Sequence, residues 1–296
     1  MRIISWNIRA GGGRRAEGIV SQLLQWQPDI IALSEFRGTD ASQWIASELR
    51  THGYPHQRTT TDRDNPATNA LLLASRWPLR SVNLKHAPTN KRRWLHVNIA
   101  SPTPIAVIAI HIPNRSTGLK YPFMESATNV VKQWRGPAAV LLGDTNSGRI
   151  DIDEESPAFN KIEDQWIKNM NELQWKDAFR LLHSNTRDYT WYSPNGRNGF
   201  RLDQAFIHPA LHNRITTFEY AWGGNTEVRR EELSVIMQRS FWILIYRSFP
   251  QVARITLSRP HHGLGIKLRP RKPKSLMICN TGPIDSTTLY TTGVEF

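Results

Sequence analysis

Ala138-Ala139-Val140-Leu141-Leu142-Gly143-Asp144-Thr145-Asn146 is an apolar run stopped by a glycine, a carboxylate and an amide. A short apolar run bounded by turn residues reads as a strand buried on both faces. Asp144 and Asn146 would then stand at the end of a buried strand, placed to face one phosphate or its attacking water. The same arrangement recurs along the chain. Trp6-Asn7 closes the run at residues 2–7, Glu35 closes residues 30–35, His111-Ile112-Pro113-Asn114 follows residues 106–110, and Arg201-Leu202-Asp203 opens another run. Strands ending in this way deliver Asn, Glu, His and Asp to one rim, a set suited to a divalent metal and a phosphate.

Segments of helical period lie between these runs. Ile19, Leu23, Leu24 and Trp26 form an apolar stripe on residues 17–27, and Trp44, Ile45 and Leu49 form another on residues 40–50. Phe123, Ala127, Val130, Val131 and Trp134 mark a third helix, and Phe159, Ile162, Trp166 and Ile167 a fourth. Further strands are expected at residues 69–75, 94–99, 204–207 and 215–222. Strands apolar on both faces need cover on both sides, so their alternation with helices predicts an α/β fold of packed sheets with helices outside.

A chain of 296 residues can bury a full core as one large domain or as a domain with an appendage. Its net charge of +13 favours a polyanionic partner, nucleic acid or an anionic surface. No stretch approaches the roughly 18 apolar residues of a membrane span. Met1-Arg2-Ile3-Ile4-Ser5-Trp6 runs directly into a strand without the features of a signal peptide. The single cysteine, Cys279, can form no internal disulfide. These features lead to the expectation of a monomeric, cytoplasmic protein.

Each motif alone has an ordinary explanation. Gly-Asp-x-Asn is common turn chemistry, a lone Glu after a strand is usually solvated, and a lone His is usually a satisfied core or rim residue. In combination and in this order, six segments resemble the endonuclease/exonuclease/phosphatase superfamily, which includes exonuclease III-like abasic endonucleases, DNase I-like nucleases, phosphodiesterases and phosphatases. They are Ser5-Trp6-Asn7, Leu33-Ser34-Glu35, Asn69-Ala70-Leu71-Leu72-Leu73-Ala74-Ser75, His111-Ile112-Pro113-Asn114, Gly143-Asp144-Thr145-Asn146 and Gly199-Phe200-Arg201-Leu202-Asp203, spanning roughly residues 1–225. The resemblance implies a four-layer αββα sandwich of two central mixed sheets flanked by helices, with the site at one edge of the sheets. It also implies roles. Asn7 and Glu35 would belong to a Mg²⁺ or Mn²⁺ site, His111 would meet the scissile phosphate, Asp144 would activate water, Asn146 would position phosphate or nucleophile, and Asp203 would orient a catalytic His. The chemistry is coherent, because phosphodiester hydrolysis needs a deprotonated water and positive charge on the non-bridging oxygens. An imidazole beside a carboxylate is expected to donate to the phosphate as the cation.

The superfamily's closing Ser-Asp-His is missing. At its expected place the chain reads Glu232-Leu233-Ser234-Val235-Ile236-Met237-Gln238, and His261 and His262 lie too far along to replace it. The genetic code offers an explanation. With new triplets beginning at the third base of the old ones, Met237-Gln238 forces Ala, Phe241-Trp242 forces Leu and Trp242-Ile243 forces Asp, while Val235 and Ile236 permit Asp and His. The shifted reading is Asp-His-Ala-x-x-apolar-Leu-Asp, close to the superfamily's last strand. The expectation is therefore a frame change between about Gly224 and Ser234, with a domain at residues 1–234 and a basic out-of-frame tail at 235–296. A Val235 codon not ending in G, or an Ile236 codon not ending in C, refutes this. Over half of the basic surplus, +7, falls in residues 235–296, and residues 259–274 read as an exposed basic linker. Phe241-Trp242-Ile243-Leu244-Ile245-Tyr246 is a strong strand former with two outcomes open to it: to take the slot of the lost final strand, or to leave that strand altered or incomplete and the open sheet edge an aggregation hazard.

The functional expectation is a metal-dependent phosphodiester hydrolase, most simply a DNA nuclease, slowed by orders of magnitude rather than abolished by loss of the imidazole. The alternatives are a catalytically inactive nucleic-acid-binding relic, or a phosphatase or lipid phosphodiesterase of the same superfamily. Lys91-Arg92-Arg93-Trp94 and Arg187-Asp188-Tyr189-Thr190-Trp191-Tyr192 interleave basic and aromatic residues as strand tracking requires. The run at residues 190–203 resembles exonuclease III-like enzymes, which favours DNA, whereas His111 stands where abasic-site specialists usually carry Tyr.

Overall fold

The computed structural model describes residues 1–221 and, as strand backbone, 240–245. The expected frame change, the segment 232–238, His261, His262 and the basic linker lie outside the described residues. In chain order the strands are β1 Arg2–Asn7, β2 Ile30–Phe36, β3 His56–Thr59, β4 Ala70–Ser75, β5 Leu79–Ser81, β6 Trp94–Ile99, β7 Ile105–His111, β8 Ala139–Asp144, β9 Lys176–Asp177, β10 Trp191–Tyr192, β11 Gly199–Phe200, β12 Asp203–Ile207, β13 Ile215–Ala221 and β14 Ser240–Ile245. The helices are α1 Ala16–Trp26, α2 Asp40–Thr51, α3 Lys120–Lys132, α4 Lys161–Glu172 and the short α5 Ala178–Leu182.

Two six-stranded sheets are built, ordered β13-β14-β1-β2-β4-β3 and β5-β6-β7-β8-β12-β9, with β10 and β11 as a separate hairpin. Both follow one plan. A parallel pair joined through a helix, β1-α1-β2 or β7-α3-β8, is extended by antiparallel strands, β4 and β3 or β12 and β9. The backbone of β14 pairs antiparallel with both β1 and β13, placing Leu244 opposite Arg2 and Ile243 opposite Phe218. Of the two outcomes open to that apolar run, it takes the slot of the final strand.

Alternation along the strands sorts side chains into three cores. Ile3, Ile30, Ala32, Leu71 and Leu73 face Val97, Val107, Ala109, Val140, Leu142 and Ala205 between the sheets. Ile4, Ile31, Leu33 and Leu72 pack outward on Ile19, Leu23, Ile45 and Leu49 of α1 and α2. Ile108, Ile110 and Leu141 pack outward on Phe123, Ala127, Val130, Trp166 and Ile167 of α3 and α4. The result is the expected αββα sandwich.

Four helix-face assignments differ from expectation, one being Trp134, which lies beyond the end of α3 at Lys132. Trp44 and Ile162 are exposed, and Phe159 precedes α4. In α4 the register is set by Asn160, which caps the helix in a reciprocal box with Glu163, so Glu163 turns inward and Ile162 outward. In α2 the buried face runs through Ser42, Ile45, Ala46 and Leu49, leaving Trp44 at its margin.

Candidate active site

The candidate residues continue the inter-sheet rows beyond the apolar core. Asn7 ends β1, His111 ends β7 and Asp144 ends β8, each in step with the inward positions of its strand. Register places Asp144 beside both His111 on β7 and Asp203 at the start of β12. Carboxyl ends of parallel strands are where α/β sheets present functional groups. Here both parallel pairs open at the same place, because the sheets pack face to face. Asn7, His111, Asp144 and Asp203 are all buried.

Glu35 reaches this cluster by a different route. The sequence ends its strand at Glu35, but β2 continues to Phe36 through a bulge between Ser34 and Phe36. Glu35 takes a positive φ of 54°, so Phe36 occupies the outward position and Glu35 is re-aimed, a common use of a bulge. The main chain of the following turn fixes it there, with Ala10 N–H donating to Oε2 at 2.9 Å and Gly11 N–H donating to the Glu35 carbonyl at 2.8 Å. Asn7 links the two carboxylates. Its Nδ2 donates to Glu35 Oε1 at 3.0 Å and to Asp144 Oδ2 at 2.9 Å, while its Oδ1 accepts from Arg9 N–H at 2.9 Å.

Around Asp144 the backbone is tightly specified. Gly143 has φ 141°, and a Cβ there would lie 2.0 Å from the Ile110 carbonyl oxygen on the adjacent strand. Gly143→Ala should therefore cost several kcal/mol, on the order of the penalty for a backbone held where L side chains do not fit, and a urea midpoint unchanged from wild type would refute it. Asn146 is also left-handed, at φ 48°. Its N–H donates to Asp144 Oδ1 at 2.9 Å and its Nδ2 to the Ile112 carbonyl at 2.8 Å. Behind it, the ammonium of buried Lys120 is paired with Glu163 and donates to the Asn146 carbonyl at 2.5 Å. Lys120 and Glu163 escaped the sequence reading because residues 43 apart carry no local signal of pairing.

Burial opposes ionisation of Glu35, yet the Ala10 and Asn7 hydrogen bonds, with His111 and Arg37 nearby, hold its pKa below the ordinary value. It is a carboxylate at neutral pH. His111 differs from expectation. Burial, assisted by Arg93, lowers its pKa against the pull of Asp144 and Glu35, so the imidazole is neutral at pH 7. Its Nε2 lies 3.8 Å from Asp144 Oδ2. A neutral imidazole still offers one N–H donor.

The Arg201-Leu202-Asp203 segment is held by a buried network that the sequence did not disclose. Arg201 is fully buried, with Nε and Nη2 on Asp153 at 2.7 and 2.9 Å and Nη2 and Nη1 on Asp177 at 2.6 and 3.3 Å. Nη1 also donates to the Tyr220 hydroxyl at 3.3 Å, and that hydroxyl donates to the Asp203 carbonyl at 2.8 Å. Thr190 Oγ1 accepts from the N–H groups of Leu202 and Asp203 at 2.9 and 3.2 Å. Asp203 is thus placed opposite Asp144 by charges lying outside the site.

Of the basic-aromatic segments, Trp94 and Tyr189 are buried, so neither offers a stacking face. The turn before Trp94 borders the site. Arg93 donates to the His111 carbonyl at 3.3 Å, and Lys91 and Arg92 line a cleft of about 770 Å³ with Arg63, Asp62, Leu119 and Pro122.

Fold and site together define an αββα sandwich with a carboxylate, amide and imidazole cluster where its two parallel strand pairs open. The chain belongs to the Endonuclease/Exonuclease/phosphatase family, whose sequence model matches residues 4–225. This is a superfamily of phosphodiester hydrolases. Among solved structures the chain is similar to an AP endonuclease from Archaeoglobus fulgidus, at 20% identity and TM-score 0.67, covering 83% of this chain and 99% of that one. The 3′ phosphatase NExo from Neisseria, bound to product DNA hairpin, has the same identity, TM-score and coverage. The APE2 catalytic domain from Xenopus laevis is 15% identical with TM-score 0.62, covering 83% of this chain and 91% of that one. No curated protein matches the chain in sequence. Among the described residues no helix is long and apolar enough to cross a membrane.

Proposed function

We propose that the chain is a divalent-metal-dependent phosphodiesterase acting on nucleic acid, DNA being the favoured substrate, as a cytoplasmic monomer. The observation that carries this reading is the Asn7 amide bridging Glu35 and Asp144, which gathers two carboxylates at the mouth of the two sheets. Among the described residues no group of three or more His, Cys, Asp and Glu could enclose a metal. The donor set instead fits a hard cation that keeps most of its waters and takes one or two carboxylates. Glu35, with Asn7, would hold it. When bound, Mg²⁺ or Mn²⁺ supplies positive charge to the phosphoryl oxygens and acidifies water.

The chain's own groups account for the remainder. Asp144 accepts the proton of the attacking water, whose oxygen bonds to phosphorus as the bond to the leaving sugar oxygen breaks and that oxygen is protonated from solvent. Asn146, held by Lys120 and the Ile112 carbonyl, keeps Asp144 oriented through its N–H. His111 offers a neutral N–H donor beside Asp144, and Asp203 lies across the strand pair from it.

Nicking of supercoiled plasmid tests the reading. Activity should require Mg²⁺ or Mn²⁺, disappear in EDTA, and fall by about 10²-fold or more in Glu35→Gln, the scale of losing one group that stabilises transition-state charge. Nicking that persists undiminished in EDTA removes the metal from the proposal. A second reading is favoured by the absence of Asp-His at residues 232–238, namely an inactive protein that retains nucleic-acid binding. It predicts salt-sensitive DNA binding without cleavage under any divalent metal.

A further inference from the structure

Among the described residues Arg93 is a cation at the edge of the cluster whose guanidinium is little used by the fold. Among the described residues its guanidinium donates once, to the His111 carbonyl at 3.3 Å, and no described carboxylate lies within ion-pair distance of it. Its remaining N–H groups are not buried. Burial lowers its pKa while Asp144 and Glu35 favour its charge, and a guanidinium keeps its proton under such conditions. By contrast, Lys120 is consumed by Glu163, and Arg37 donates to Asn69 at 2.7 Å.

The turn carrying Arg93 is pinned on both sides. Its N–H donates to the Asn90 carbonyl at 3.1 Å, Thr60 Oγ1 donates to the Arg92 carbonyl at 2.8 Å, and buried Trp94 rests edge-on against Phe123 with ring centroids 6.2 Å apart. The guanidinium is therefore presented from a fixed main chain, as a preorganised charge must be. The electrostatics also call for it. Glu35 and Asp144 meet at the mouth through Asn7, and a phosphodiester brings a further negative charge to the same place. The superfamily's Asp-His is absent from residues 232–238.

Building on the phosphodiesterase reading, we infer that Arg93 is a catalytic residue of this chain, gripping a non-bridging oxygen of the scissile phosphate and supplying the positive charge that the missing imidazole would have given. A guanidinium fork suits two phosphate oxygens better than an ammonium does. The same turn carries Lys91 and Arg92, which line the cleft with Arg63, Arg92 being paired with Asp62 at 3.1 Å.

Two measurements test this on the full chain with Arg93→Met, Arg93→Lys and Asp144→Asn. Binding of a short DNA duplex in EDTA, followed across NaCl concentrations, should lose about 0.9 from its log–log salt slope in Arg93→Met, the value of one phosphate contact. Under Mg²⁺, kcat for nicking should fall about 10²- to 10³-fold in Arg93→Met with KM changed far less, as for loss of one transition-state donor. Arg93→Lys should be intermediate, and added methylguanidine should partly restore Arg93→Met, which a merely structural role would not allow. An unchanged salt slope in Arg93→Met overturns the inference. So does a kcat within threefold of wild type while Asp144→Asn is inactive. If wild type does not nick under any divalent metal, the phosphodiesterase assignment fails instead, and the inference with it.

Discussion

Asp144→Asn is expected to lower the rate of Mg²⁺-dependent plasmid nicking by about 10²- to 10⁴-fold, the usual worth of a positioned general base. The substitution is nearly isosteric, so the main chain should stay in place. Oδ1 still accepts from Asn146 N–H, now 2.9 Å away, and the contact with Asn7 Nδ2 is compromised. What disappears is the proton acceptor and one negative charge beside His111. A carboxamide is not a base at neutral pH, and two of its described neighbours are poorly suited to replace it. Glu35 is tied to Ala10 N–H and Asn7, and His111 has its pKa lowered mainly by burial. The comparison requires wild-type melting behaviour in the variant. A residual rate within tenfold of wild type would show that the water is activated elsewhere.

Arg201→Met is the largest stability effect expected. Removing the guanidinium leaves Asp153 and Asp177 facing each other in a buried site, and breaking a buried pair in this way costs about 3–5 kcal/mol. For a domain of this size that corresponds to a drop in Tm on the order of 10 °C. Adding Asp153→Asn and Asp177→Asn should recover part of it, because Arg201→Met leaves two buried carboxylates with Arg180 as their remaining described guanidinium partner, on Asp153. No recovery, or a loss below about 1 kcal/mol, the scale of a surface ion pair, would contradict the network's assigned role. The pH dependence has a definite sign. Burial opposes ionisation of Asp153, but Arg201 and Arg180 hold its pKa below the ordinary carboxylate value. A depressed folded-state pKa gives stability that is present above the unfolded value, near 4, and is lost as pH falls through the folded value. Wild type should therefore weaken below about pH 4, the unfolded carboxylate value, and Arg201→Met should lose less stability over that acid range. Unfolding midpoints between neutral pH and pH 3 would show a shallower acid limb in the variant.

The strands, and most of the site, were readable because their signals are local. A buried strand must be apolar on both faces, so runs such as Val140-Leu141-Leu142 and Ile30-Ile31-Ala32-Leu33 announce themselves, and the polar residues that stop them are displayed at their ends. Asn7, His111, Asp144 and Asn146 meet through hydrogen bonds or close approach, as those positions implied. Glu35 was named, but its route was not. A bulge is an extra residue in one strand judged against its partner, and the partner β4 lies some forty residues on, at Ala70–Ser75. The helix faces of Trp44 and Ile162 failed for a related reason. Apolar period marks residues able to be buried, whereas the Asn160–Glu163 cap decided which of them were.

By itself the sequence determined the succession of buried strands and covering helices, the polar residues at the strand ends, and a basic surplus concentrated beyond residue 234, because period, turn chemistry and net charge are properties of neighbouring residues. Only the tertiary structure decided the pairing and protonation of the charged groups. Lys120 is neutralised by Glu163, Arg201 by Asp153 and Asp177, His111 is kept uncharged by burial, and Arg93 has no counter-ion among the described residues at the mouth of the site. Each outcome depends on distance and dielectric between segments far apart in the chain, where a few ångströms separate a spent charge from one free to meet a phosphate.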